Sequence, residues 1–196
     1  MDNFAFLVRV LSRIINFSPE EEEVIRSIFV EETFEKGELF LREGEVCDKL
    51  GLVCRGVFRY YIDHEDEDKT FNFAREGDFI CNYESLIKQM PSPKNIQAIE
   101  ACVVRVITKK DLQVFYKHVK EGNLFGRIHI ENVYAETIRQ LISHYTESPE
   151  HRYLNFLKNY PGLSQRIPQY YIASYVGVKP QSLSRIRKRL ATKVLY

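Results

Sequence analysis

The chain has no His-x-His pair, no serine–histidine–aspartate grouping and no glycine-rich loop of the kind that cradles phosphates. An enzyme on a cupin-like jelly roll would need clustered histidines and a carboxylate around a metal. The strand-rich part of this sequence offers only His64, in an acidic loop. No catalytic residue, metal or cofactor is therefore expected, and the chain reads as a non-enzyme. The four cysteines, Cys47, Cys54, Cys81 and Cys102, form no close pair with metal-clip spacing, so they read as buried structural thiols. Long apolar runs are missing as well. Phe4–Val10 is interrupted by Arg9 and followed by Arg13, too short and too charged for a signal core or a membrane span. These absences predict a cytoplasmic protein with reduced thiols and no membrane partner.

Net charge is also nearly absent, at +1 over 196 residues, but its distribution is uneven. From Glu147 to Tyr196 nine Lys and Arg face only Glu147 and Glu150, giving +7 and leaving −6 on the first 146 residues. An acidic body with a basic terminal domain points to a polyanionic partner. The composition, 44% hydrophobic and 28% charged, is that of an ordinary folded chain with one large or two modest domains.

Asn3 to Ile15 reads as a short amphipathic helix. Ser18-Pro19-Glu20-Glu21 then opens a second, with Ser18 as cap, Pro19 in the first turn and Glu21 completing a capping box. From about Thr33 to Ile107 short apolar stretches alternate with glycine turns. Strands are predicted at Leu39–Arg42, Leu50–Cys54, Val57–Ile62, Thr70–Phe73 and Cys102–Ile107, the pattern of an antiparallel sandwich or barrel. The acidic run Asp63 to Asp68 reads as a solvated hairpin loop, since it lacks the central glycine and distal glutamate of a calcium loop. From Asp111 the pattern is helical. Leu124, Ile128, Glu131, Ala135, Ile138, Ile142 and Tyr145 recur in alternating steps of four and three, a coiled-coil-like seam broken only by Glu131. Ile130, Val133, Thr137 and Leu141 form a second stripe. One face is expected to pack on the barrel and the seam, through Leu124, Ile128, Ala135, Ile138, Ile142 and Tyr145, to meet a second copy.

Ser148 and Pro149 start a new helix that runs to about Asn159 and ends at Tyr160-Pro161-Gly162, and Leu163–Ile167 leaves room for a very small hairpin. Pro168 then opens a helix through Tyr175, with Ile172 and Ala173 facing inward. Gly177 supplies a left-handed turn, Val178 plugs the gap, and Lys179-Pro180 begins a second helix whose buried stripe is Leu183, Ile186 and Leu190. The rest of that helix is polar or basic. These features describe a helix-turn-helix. Arg185 lies one turn after Gln181 on the same face, and these two side chains suit guanine and adenine edges. Lys179, Ser182, Arg187 and Lys188 suit phosphates. Gln169, Tyr170, Pro180 and Ser184 complete the predicted DNA surface.

The segment from Arg166-Ile167-Pro168-Gln169 to Ser184-Arg185-Ile186-Arg187 resembles the helix-turn-helix of the Crp/Fnr family of bacterial transcription regulators, most closely its shorter Bacteroidetes-type members. Lys36-Gly37-Glu38, Arg42-Glu43-Gly44-Glu45 and Glu76-Gly77-Asp78-Phe79-Ile80 resemble that family's cyclic-nucleotide-binding-like jelly roll. The resemblance covers nearly the whole chain. It implies an α+β fold: an N-terminal antiparallel β jelly roll with flanking helices, a long dimerisation helix and a C-terminal winged helix-turn-helix. The expected domains are 1–120, 121–146 and 147–196.

It also implies base-reading roles for Gln181 and Arg185, with Pro180 where many relatives carry a polar reader. Members that bind cyclic AMP have a Gly-Glu pair after the Gly-Asp-Phe turn and later an arginine followed by a small hydroxyl residue. Here Asn82 stands at the glutamate position and Ser92-Pro93 at the arginine position, and Lys94 lacks the bidentate fork a phosphate prefers. The effector pocket is thus assigned to Asn82, Tyr83, Glu84, Ser85 and Lys94, without binding of cyclic AMP in the usual way. The N-terminal cysteine cluster of the iron–sulfur variant is absent.

The expected partners are double-stranded DNA, a second copy of the chain, an effector of unknown identity and, as a further candidate, RNA polymerase. The alternative is a cyclic-nucleotide or other small-molecule sensor with a non-standard pocket; a sensor without DNA binding is disfavoured by the basic C-terminal segment.

Overall fold

A computed structural model describes residues 2–65 and 67–193. Two compact units are present. The first comprises Met1–Ile62 with Phe73–Val133, and the second Asp63–Asn72 with Tyr134–Tyr196.

The first unit begins with α1 (Asn3–Leu11) and α2 (Pro19–Ile28). The Asp2 side chain caps α1 at the Phe4 N–H, 3.0 Å away. The capping box of α2 forms as the sequence predicts: the Ser18 N–H donates to Glu21 Oε2 at 2.7 Å and the Glu21 N–H to Ser18 Oγ at 3.3 Å. Glu21 also accepts the Lys120 N–H at 2.6 Å, so this carboxylate serves two chain segments. That bond, with the one from Ser18, holds its pKa below the ordinary glutamate value.

Among the described residues eight strands follow: β1 (Val30–Phe34), β2 (Leu39–Leu41), β3 (Lys49–Arg55), β4 (Phe58–His64), β5 (Glu67–Ala74), β6 (Phe79–Ile80), β7 (Asn95–Ala98) and β8 (Cys102–Thr108). They pair as two four-stranded sheets, β1-β8-β3-β6 and β2-β7-β4-β5. Every pairing with a described register is antiparallel, as in Gly51 against Val106 and Tyr60 against Ile96. This is a jelly-roll-like sandwich. Its core is held by Phe34, Phe40 and Phe58, whose ring centroids lie 5.6–6.3 Å apart in tilted and edge-on contacts.

A six-residue helix, α3 (Tyr83–Lys88), interrupts the strands, and α4 (Lys109–His118) follows them. The 25-residue α5 (Gly122–Thr146) then spans the boundary between the units. The second unit continues with α6 (Pro149–Asn159), a 3-10 turn at Leu163–Gln165, α7 (Gln169–Val176) and α8 (Pro180–Lys193).

Several expectations need correction. The first helix stops at Leu11 instead of Ile15. Helix is not continuous from Asp111, because Val119 leaves helical geometry and α5 begins afresh at Gly122. β1, β6, β7 and α3 were not foreseen. Only Phe34 is buried in β1, so that strand carries no apolar alternation. The strip Leu163–Ile167 contains a 3-10 turn where a small hairpin was expected. The acidic loop is shorter than predicted, because β4 and β5 extend into it; Asp66 lies outside the described residues.

Gly56 is a position where only glycine fits. It has φ +97, and a Cβ there would come 2.4 Å from Cys102 Sγ and 2.9 Å from the Ala101 carbonyl. Gly56→Ala should cost roughly 2 kcal/mol or more of unfolding free energy from the left-handed backbone and the clash. The urea midpoint should fall, and an unchanged midpoint would contradict this packing.

Candidate functional site

The turn between α7 and α8 sets the geometry of this helix pair. Gly177 has φ 76, and its N–H reaches the Ser174 carbonyl at 2.9 Å. The Val178 N–H reaches the Ala173 carbonyl at 2.9 Å, completing a Schellman motif. Ile172, Ala173 and Val176 are fully buried, so α7 presents a narrow face to α8. Leu183 and Ile186 are buried from the other side, whereas Leu190 and Val178 are half-buried. Tyr153 and Phe156 of α6 complete this core, with Phe156 packed on Tyr175 at 5.6 Å between centroids.

Arg152, which the sequence reading counted only as a charge, clamps the turn. Its Nε donates to the Val176 carbonyl at 2.8 Å and its Nη1 to the Glu147 carbonyl at 2.6 Å. The ends of two helices are thereby satisfied by one guanidinium.

Burial of Leu183 and Ile186 turns Lys179, Pro180, Gln181, Ser184, Arg185, Arg187 and Lys188 outward, all exposed, with Ser182 half-buried. Among the described residues, no hydrogen bond or ion pair engages the side chains of Gln181, Arg185 or Lys188. Arg187 is different: its Nη1 donates to Gln169 Oε1 at 2.5 Å, tying α8 to the start of α7. Arg189 pairs with Glu150. Tyr170 is exposed beside Tyr171, with ring centroids 4.2 Å apart.

In the first unit, the residues assigned to an effector pocket do not all converge. Asn82, Ser85 and Ser92 are buried and spend their polar groups on one another and on backbone. Asn82 Nδ2 donates to Ser92 Oγ at 2.9 Å, and Asn82 Oδ1 caps α3 at the Ser85 N–H. Ser85 Oγ accepts the Cys47 N–H at 2.8 Å and donates to the Met90 carbonyl. Ser92 Oγ donates to the Lys94 carbonyl at 2.7 Å. The Lys94 ammonium stands 5.9 Å from the Tyr60 ring, and burial holds its pKa below the ordinary lysine value. Tyr83 is half-buried. Glu84 is exposed and bonded to Lys88 at 2.7 Å, so it points away from the polar cluster. Tyr60 and Cys81, which sequence reading did not assign here, belong to the same neighbourhood; burial pushes the Cys81 thiol up to about 12.

Along α5, Leu124 and Ile128 are half-buried, but Ala135 is exposed and Ile138, Ile142 and Tyr145 are 37%, 54% and 85% exposed. One face of this helix was expected to pack on the barrel. Ile130 is half-buried, yet Val133 and Leu141 are 42% and 51% exposed. Packing on the sandwich instead runs through Phe125, which meets Phe79 at 5.2 Å and Phe115 at 5.8 Å. Among the described residues, no group of three or more His, Cys, Asp or Glu is placed to hold a metal, and no helix is long and apolar enough to cross a membrane.

Residues 31–119 match the family model described as the cyclic nucleotide-binding domain. Residues 31–119 therefore form a cyclic-nucleotide-binding-like domain, and C-terminal helices follow it. Among solved structures it is similar to FixK2 from Bradyrhizobium japonicum, with 18% identity, TM-score 0.67, and 85% of this chain and 86% of that one covered. It is similar to a CooA mutant from Carboxydothermus hydrogenoformans at 18% identity and TM-score 0.64, covering 86% and 79% of the two chains. A protein described as a transcriptional regulator of the crp/fnr family, from Eubacterium rectale, matches at 16% identity and TM-score 0.68, covering 90% and 84%. At these identities the likeness is one of fold. No curated protein sequence matches.

Two outcomes are expected. Arg152→Ala should lower the stability of the C-terminal unit by about 2 kcal/mol, because two helix-end carbonyls lose a charged donor; urea unfolding followed by helical signal measures this. Because burial pushes the Cys81 thiol up, iodoacetamide at pH 8 should label it far more slowly than an exposed cysteine. Labelling at the rate of an exposed cysteine would mean that the Asn82–Ser92 cluster is open to solvent.

Proposed function

We propose that this chain is a homodimeric, sequence-specific DNA-binding transcriptional regulator whose effector domain does not bind cyclic AMP in the usual way. In this reading residues 1–120 form the effector domain, 121–146 join two copies, and 147–196 read DNA. The observation that carries it is the outward face of α8. Gln181, Arg185 and Lys188 are exposed and, among the described residues, their side chains are engaged by no hydrogen bond or ion pair, on a helix whose opposite face is buried against α7 across a tight left-handed turn. A structural basic helix would spend these cations on neighbouring carboxylates, as Arg189 does on Glu150.

The N-terminal part of such a second helix enters the major groove, where Arg185 suits guanine O6 and N7 and Gln181 suits adenine N6 and N7. Lys179 and Lys188 suit phosphates. Arg187, whose Nη1 is bonded to Gln169, would hold α8 in orientation and offer its remaining N–H groups to phosphate. Dimerisation is supported by the apolar surface of α5 from Val133 to Tyr145, which a second copy would bury. Two readers would then sit about one helical turn of DNA apart, ~34 Å.

The reading of the effector domain rests on Asn82, Ser85 and Ser92. A nucleotide ribose and phosphate seek unpaired donors and acceptors, and these groups already satisfy one another. The match to the cyclic-nucleotide-binding model favours a second reading, in which the domain takes another small molecule.

Selection of bound sequences from random duplex DNA, with and without candidate ligands, tests both readings. Arg185→Ala should cost roughly 1–3 kcal/mol on the selected site and relax one base position. Lys188→Ala should weaken all sequences alike and reduce the salt slope by about 1. An Arg185→Ala protein that binds the selected site like the parent would refute that residue's role as reader. Ile142→Asp should shift the protein from dimer to monomer in sedimentation equilibrium with its helical content kept.

A further inference from the structure

The acidic tip of the β4–β5 hairpin has no part in the reading above, and its place in the fold is unusual for a solvated loop. Residues Asp63–Asn72 belong to the second unit, together with the helix-turn-helix. The tip is anchored there by side-chain bonds. The Thr70 N–H donates to Ser174 Oγ at 2.8 Å, and Ser174 Oγ donates to the Asp68 carbonyl at 3.3 Å. Asn72 Oδ1 accepts from Tyr160 Oη at 2.9 Å and from Gln140 Nε2 at 3.5 Å. Groups at α5, at the end of α6 and on α7 thus hold one short segment.

Beyond these anchors lies an open groove of about 760 Å³. Glu67 and Asp68 line one wall, and Tyr170, Lys179 and Gln181 line the other. Both acids are exposed. The Glu67 carboxyl is held below its ordinary value first by its bond to Lys69, with a further contribution from the charge of Lys179. The opposite wall is therefore part of the surface assigned to DNA. A hairpin that assisted DNA binding at this place would carry cations, because duplex DNA presents one negative charge per ~1.7 Å of axis. In sequence this tip carries Asp63, Glu65, Asp66, Glu67 and Asp68 against Lys69.

We propose that the hairpin tip is a built-in competitor for DNA: docked on α7 through Ser174, it sets the Glu67 and Asp68 carboxylates beside Lys179 and Gln181, where phosphates would approach. The proposal rests on the DNA-binding reading of α8. The docked tip weakens binding by opposing incoming phosphates and by attracting Lys179, and its release strengthens binding.

Two variants of the full chain separate charge from docking. Glu67→Gln combined with Asp68→Asn removes both carboxylates but keeps the Asp68 carbonyl that Ser174 uses. Ser174→Ala removes the two bonds that dock the tip on α7, keeps those at Asn72 and leaves every charge in place. Binding to a mixed-sequence duplex of about 30 base pairs is read by fluorescence anisotropy between about 50 and 200 mM salt. The charge variant should bind about 10-fold tighter at the low end and about twofold tighter at the high end, because salt screens the repulsion. Its affinity should therefore fall more steeply with salt than the parent's. Ser174→Ala should bind about threefold tighter. A parent that binds duplex, with either variant binding no better, overturns the competitor and leaves the DNA-binding reading standing. If neither parent nor variants, all folded by circular dichroism, bind duplex at any of these salt concentrations, the DNA-binding reading fails and the competitor with it.

Discussion

The left-handed turn at Gly177 is the constraint on which the geometry of the second unit depends. Its two N–H groups close α7 onto the Ser174 and Ala173 carbonyls, and the next residues must start a new helix at once. A side chain at that φ would cost about 1–2 kcal/mol. Close crossing of α7 and α8 requires the small Ala173, and the end of α7 requires a donor, which Arg152 supplies from α6. Once the crossing is set, burial of Leu183 and Ile186 decides which residues of α8 face outward. The exposed face of Gln181, Arg185 and Lys188 follows from that packing.

The first unit is organised differently. Its sandwich is closed by phenylalanine rings, but one corner is polar, with Asn82, Ser85 and Ser92 buried and bonded. Each such bond contributes about 0.5–1.5 kcal/mol net, and breaking one without replacement costs more. A ligand entering this corner would have to replace several of them at once. The same corner holds Cys81 and Lys94, whose charged forms burial disfavours. The polar groups of this corner are bonded to one another and to backbone, within a domain that matches the cyclic nucleotide-binding model.

Much of the fold is legible in the residue pattern, for identifiable reasons. Ser18 and Glu21 cap α2 because the signal is local, within four residues. The stripe of Leu183 and Ile186 and the glycine at 177 are equally local. What failed to show is instructive. β7, Asn-Ile-Gln-Ala, is a strand because its backbone is needed between β2 and β4, and its Asn95 is buried although asparagine disfavours strands. α3 is only six residues long, capped by the asparagine that was read as a pocket residue. Glu84 was grouped with the pocket by sequence proximity, yet the 3.6-residue period of α3 turns it to Lys88.

The sequence by itself determined the local elements with strong periodicity or caps, the partition of charge between acidic body and basic terminus, and the composition of the exposed face of α8. Only the tertiary structure decided which distant polar groups meet. Ser174 bonds to a hairpin 104 residues away in sequence, Asn82 to Ser92 across α3, and Arg187 to Gln169 across two helices. No period or cap rule encodes such meetings. They depend on how close two backbones come, and that is settled by the packing of the apolar residues beneath them.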